Sequence, residues 1–64
     1  MTSDELVTFI TLAQSKSFSR TAELLFTSQS TISFRLRNLE AQVGKSLFDR
    51  STRQIELTPA GKDF

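Results

Sequence analysis

The 64 residues include no cysteine and no histidine, with only one proline and two glycines. Without cysteine there is no disulfide framework and no thiolate zinc site, a composition that suits a reducing cytoplasm. Without histidine, the commonest general base and the commonest metal ligand are both missing. Hydrolase and metalloenzyme chemistry has little to work with, so no catalytic, cofactor-binding or metal-ligating residue is assigned. No apolar run approaches the ~20 residues needed to cross a bilayer. The opening Met1-Thr2-Ser3-Asp4-Glu5 is polar and acidic, unlike the basic-then-apolar start of a signal peptide. The chain reads as soluble and cytoplasmic, with no membrane partner. It shows no internal repeat, low-complexity tract or linker, and one domain is expected.

A core is feasible. Hydrophobic residues make up 38% of the chain, six of them Phe, although this length is near the lower limit for folding without a disulfide or metal. The net charge of +1 says less than its distribution. Residues 20–53 hold Arg20, Arg35, Arg37, Lys45, Arg50 and Arg53 against Glu23, Glu40 and Asp49, a net of +3. The flanks hold Lys16 and Lys62 against Asp4, Glu5, Glu56 and Asp63, a net of −2. A basic island in the middle suits a polyanion binder. On charge alone, a solvated surface fits equally well.

Helix boundaries follow from capping signals. Thr2 and Glu5 have capping-box spacing, and Leu6, Val7, Phe9, Ile10, Leu12 and Ala13 follow at helical spacing, so a first amphipathic helix is expected over about residues 3–14. Ser19 is read as the N-cap of a second helix of about two turns, with Ala22, Leu25 and Phe26 inward. Ser28 caps a third helix from Gln29 to about Val43, and Gly44 stands where a left-handed C-terminal cap is expected. Ile32, Leu36, Leu39 and Val43 form its inner stripe, and Ser30, Phe34, Arg37 and Ala41 the opposite face. Leu47–Arg50 and Ile55–Leu57 read as short strands around a polar tip, and Thr58-Pro59 as the cap and first residue of another helix. Phe9, Phe18, Phe26 and Phe48 are expected in the core, and Phe64 on the apolar face of that last helix.

The expected fold is mainly α: a three-helix winged helix-turn-helix with a small β-hairpin wing and the start of a truncated linker helix. The helix-turn-helix covers about residues 18–37 and the wing about 47–57. Residues 1–58 form the expected domain, and 59–64 open a linker or dimerisation helix. In this architecture the outer face of the third helix can enter a DNA major groove, its N-terminus can hold a phosphate, and the hairpin tip can reach a minor groove.

The residues also carry a family pattern. Ser17-Phe18-Ser19, Ala22, Leu25, Ser28-Gln29-Ser30, Ile32-Ser33, Leu39-Glu40, Gly44, Leu47-Phe48, Arg50, Arg53, Leu57-Thr58 and Ala60-Gly61 occur in register across nearly the whole chain. Together they resemble the N-terminal domain of LysR-type transcription regulators. The resemblance implies double-stranded DNA as partner and a homodimer or homotetramer for the full-length regulator. It further implies a small-molecule inducer bound by a C-terminal effector domain outside these residues; the 64 residues alone are expected to be monomeric or weakly dimeric. Two positions depart from the pattern: Thr21 replaces the first of a usual Ala-Ala pair, and Phe34 stands where a polar or basic residue is usual.

The DNA-binding residues expected on this basis are Gln29, Ser30, Ser33, Phe34, Arg37 and Arg53. Gln29 has an amide that pairs bidentately with adenine; otherwise it solvates a helix end. Ser30 and Ser33 can bond phosphates or base edges, or remain ordinary surface serines. Arg37 is read as a backbone contact and Arg35 as a flank phosphate contact or a solvated charge. Arg53 is placed at the wing tip, whereas Arg50 is as well suited to a carboxylate such as Glu40 as to a phosphate. Phe34 can meet a thymine methyl, contact a protein, or lie partly buried against the second helix. A protein-docking winged helix is the alternative function; an enzyme is a distant third.

Overall fold

The structure, a computed structural model, describes residues 2–49 and 55–63. Its elements run α1 (Ser3–Ser15), α2 (Phe18–Leu24), α3 (Gln29–Val43), β1 (Phe48–Asp49), β2 (Glu56–Leu57) and α4 (Pro59–Asp63). The three longer helices pack on one another, and the antiparallel hairpin pairs Phe48 with Leu57 and Asp49 with Glu56.

Each helix start is held by a short-range hydrogen bond. At α1 the Thr2 hydroxyl accepts from the Glu5 amide at 3.2 Å, and the Glu5 carboxylate accepts from the Thr2 amide at 3.1 Å. This reciprocal pair satisfies two amides that a helix start otherwise leaves open. At α3 the Ser28 hydroxyl accepts from Thr31 N at 3.2 Å. At α4 the Thr58 hydroxyl accepts from Gly61 N at 3.1 Å. The α2 cap is Ser17 rather than Ser19: its hydroxyl accepts from Arg20 N at 3.2 Å. The Ser15 hydroxyl reaches Thr21 Oγ1 at 2.7 Å and bonds both the carbonyl and the amide of Ser17, so the α1–α2 turn closes one serine earlier than expected.

The core consists of Leu12, Leu36, Leu39, Leu47 and Phe48, with Phe9, Ala13, Phe18, Val43, Ile55, Leu57 and Ala60 against it. Phe9 and Phe48 meet with ring centroids 5.4 Å apart, which joins the wing to α1. Ile32, Leu36 and Leu39 are completely buried, as the third-helix stripe requires, and Gly44 caps that helix at φ 80°.

Two expectations about the core fail. On α1, Leu6, Val7 and Ile10 lie exposed; the inward face is Glu5, Thr8, Phe9, Leu12 and Ala13. Apolar residues occupy two overlapping stripes of this helix, and contact with α3 selects the one containing two polar groups. Both polar groups are satisfied. Thr8 Oγ1 donates to Asp4 O at 2.7 Å, and Gln42 Nε2 donates to Glu5 Oε1 at 3.0 Å. The bonds from Thr2 and Gln42 hold the Glu5 carboxyl below its ordinary value against the opposing effect of burial.

Phe26 is the second failure. It is 95% exposed, at φ 55°. Its amide donates to Glu23 O at 3.2 Å, and the Thr27 amide donates to Ala22 O at 2.9 Å. These two bonds form a Schellman cap, whose left-handed residue is usually glycine. The chain reverses direction there, so the Phe26 ring points into solvent.

Candidate nucleic-acid interface

α2 and α3 meet through the Leu25–Ser28 turn, and α3 turns its inner stripe onto the core. Its other face is therefore outermost. Gln29, Ser30, Phe34, Arg37 and Ala41 are exposed along it, and Ser33 is half-buried at its edge. Ser30, Phe34 and Arg37 recur at four- and three-residue steps, so the structure brings them onto one strip about 10 Å long. Phe34 is 63% exposed, which removes burial against α2 as an account of it.

Among the described residues, some cations are paired and others are not. Arg20 pairs with Glu23 at 4.0 Å and Lys16 with Glu56 at 3.7 Å, both at the surface. Among the described residues, Arg35, Arg37 and Lys45 have no carboxylate within ion-pair range. Arg37 also lines an open concavity with Glu40, Ser46, Phe48, Asp49 and Thr58 between α3 and the wing. At the start of α3, Ser28 Oγ caps Thr31, and the Gln29 and Ser30 amides have no protein acceptor among the described residues. Arg53 and Arg50, like Phe64, lie outside the described residues.

The carboxylate of Glu40 binds the chain that returns after α3; its pairing with Arg50, read from the sequence as one possibility, lies outside the described residues. Its Oε2 accepts from Leu47 N at 2.7 Å and from Ser46 Oγ at 3.4 Å. Thr58 completes the link: its hydroxyl donates to Ser46 O at 2.6 Å and its amide to Leu47 O at 3.0 Å. These residues set the base of the wing relative to α3. Their sequence signal is slight, because the bonds join residues six to twelve apart.

A family model of bacterial regulatory helix-turn-helix proteins of the lysR family matches residues 3–62. The chain belongs to this LysR family. It is 48% identical over 58 residues to the HTH-type transcriptional activator AllS of Klebsiella pneumoniae, covering 91% of this chain and 22% of that protein. To the HTH-type transcriptional regulator HdfR of Yersinia enterocolitica it is 45% identical over 62 residues, 97% of this chain and 21% of that one. The LysR-family chain thus spans about a fifth of the length of these curated relatives.

Solved structures agree. Vibrio fischeri DarR in complex with DNA superposes with a TM-score of 0.96 at 47% identity, over all of this chain and 22% of that one. The complex of BenM_DBD with benA site 1 DNA gives a TM-score of 0.95 at 31% identity, over all of this chain and 72% of that one. The molecule is a LysR-type helix-turn-helix DNA-binding domain of transcription regulation, and the relatives are regulators rather than enzymes.

Proposed function

We propose that this LysR-family domain binds specific double-stranded DNA with α3 in the major groove and the wing in the adjacent minor groove. The observation that carries the reading is the outward strip of α3, where Ser30 and Phe34 stand with Arg37, an arginine with no carboxylate partner among the described residues. Gln29, Ser30, Ser33 and Phe34 read base edges. Arg37 and the open amides at the start of α3 hold phosphates, since free N–H groups and the helix dipole favour an anion there. Arg53 probes the minor groove from the wing. Residues 1–58 form this reading domain, and 59–64 open a linker that pairs two copies. The complete regulator acts in the cytoplasm as a homodimer or homotetramer, with a small-molecule inducer bound by an effector domain outside these residues.

One domain alone should bind weakly, near the nonspecific range of about 10⁻⁴–10⁻⁶ M at physiological salt. Titration against palindromic duplexes from a randomised library, at two salt concentrations, tests this. Gln29→Ala should cost about 1–3 kcal/mol on the preferred duplex only, whereas Arg37→Ala should weaken every duplex and reduce the salt slope by about 1. Equal loss on selected and random DNA would remove Gln29 from the reading set. Absence of binding at low salt would favour the protein-docking alternative.

A further inference from the structure

Phe34 is the one large apolar side chain on the outward strip of α3. It stands one turn after Ser30 and one turn before Arg37, and it takes no part in the hydrophobic core. No aromatic ring is stacked on it among the described residues. Polar neighbours on both sides can bond phosphates or base edges, but the phenyl ring has neither donor nor acceptor. It can select a base pair only through shape and apolar contact. On the floor of a B-DNA major groove the apolar feature is the C5-methyl of thymine; the other groups there are hydrogen-bond donors and acceptors.

We propose that Phe34 reads the 5-methyl group of one thymine in each half-site, making it a specificity-determining residue of the DNA-reading face. This rests on the placement of α3 in the major groove proposed above. The ring packs on the methyl while Ser30 and Arg37, about 6 Å and 4.5 Å away along the helix axis, hold neighbouring polar groups. A base pair without a methyl leaves the ring against polar edges. Methylated cytosine carries the same methyl at the same place and is accepted in its stead.

The test uses the full-length protein and duplexes recovered from a randomised library. Each thymine is replaced in turn by deoxyuridine, which deletes only the methyl. At one position per half-site, wild-type affinity should fall about fourfold, corresponding to about 0.8 kcal/mol for one buried methyl. That loss should vanish in Phe34→Ala and persist in part in Phe34→Leu, which keeps an apolar tip. At the same position, 5-methylcytosine should bind better than cytosine to wild type and equally to Phe34→Ala. Thermal melts of both variants should match wild type, since the ring lies outside the core.

If deoxyuridine weakens wild type and both variants alike, or if no thymine position responds, the assignment of Phe34 is overturned while DNA reading by α3 stands. If no duplex is recovered at low salt, the DNA reading itself fails, and Phe34 with it. Should Phe34→Ala fail to fold, the proposal is judged on Phe34→Leu and the wild-type deoxyuridine scan.

Discussion

The two faces of α3 have opposite physical roles. Inward, Ile32, Leu36 and Leu39 are shut off from water and hold α1, α2 and the base of the wing together. Outward, Ser30, Phe34, Arg37 and Ala41 are open. Burial of apolar area contributes most of the stability available to so small a domain. The exposed face contributes little, so its residues can change without unfolding their support. A single 15-residue helix can serve both purposes because the helical period separates them by half a turn.

The harshest way to break this division is to cut into the inner face. Leu36→Ala should cost about 2–5 kcal/mol, against a total stability of about 3–10 kcal/mol for a domain this size. Chemical denaturation should show it largely unfolded or close to it, while Arg37→Ala stays within about 0.5 kcal/mol of wild type. Comparable losses for the two would abolish the distinction between the faces.

Gly61 extends the comparison to the wing. It is buried, and a Cβ there would run into the Leu47 carbonyl oxygen and approach Leu57 Cδ2 at 2.9 Å. Gly61→Ala should therefore cost about 1–3 kcal/mol through overpacking. An unchanged melting temperature would show that α4 can move away from the wing freely.

The ends of α2 and α3 offer a finer contrast, because both turn through a left-handed residue but only one is glycine. Gly44→Ala should lose about 1 kcal/mol, and Phe26→Gly should gain up to about 1 kcal/mol, since the nearly bare ring gives up no burial. Opposite shifts in melting temperature are the expected result; a loss at both positions would mean that the Phe26 ring stabilises the turn.

The smallest effect concerns acid. The folded Glu5 pKa is lowered from 4.5, so its contribution is fully present above that pH and is lost as pH falls through the folded value. Glu5→Gln should flatten the decline of melting temperature below about pH 4.5. Parallel declines in the two proteins would exclude Glu5 as the cause.

Much of the architecture is legible in the sequence, because the decisive interactions are local. The boundaries of α3 follow from Ser28 and Gly44, and those of α1 and α4 from Thr2, Glu5, Thr58 and Pro59. Each of these caps acts within three or four residues along the chain. The outward positions of Ser30, Phe34 and Arg37 were equally plain, since one unambiguous apolar stripe defines its own opposite. By contrast, α1 carries two overlapping apolar stripes, and only contact with α3 determined that Glu5 and Thr8 go inward while Leu6, Val7 and Ile10 remain outside. Phe26 looked like core by its chemistry, but the cap geometry turned it to water. Nothing local in the sequence marks Glu40 as the acceptor for the Leu47 amide, because the returning chain brings that amide to it. Local hydrogen bonds and helical periodicity therefore determined where the elements begin and which face of α3 is outermost. Long-range packing decided which remaining side chains were covered, because burial depends on what lies opposite a surface.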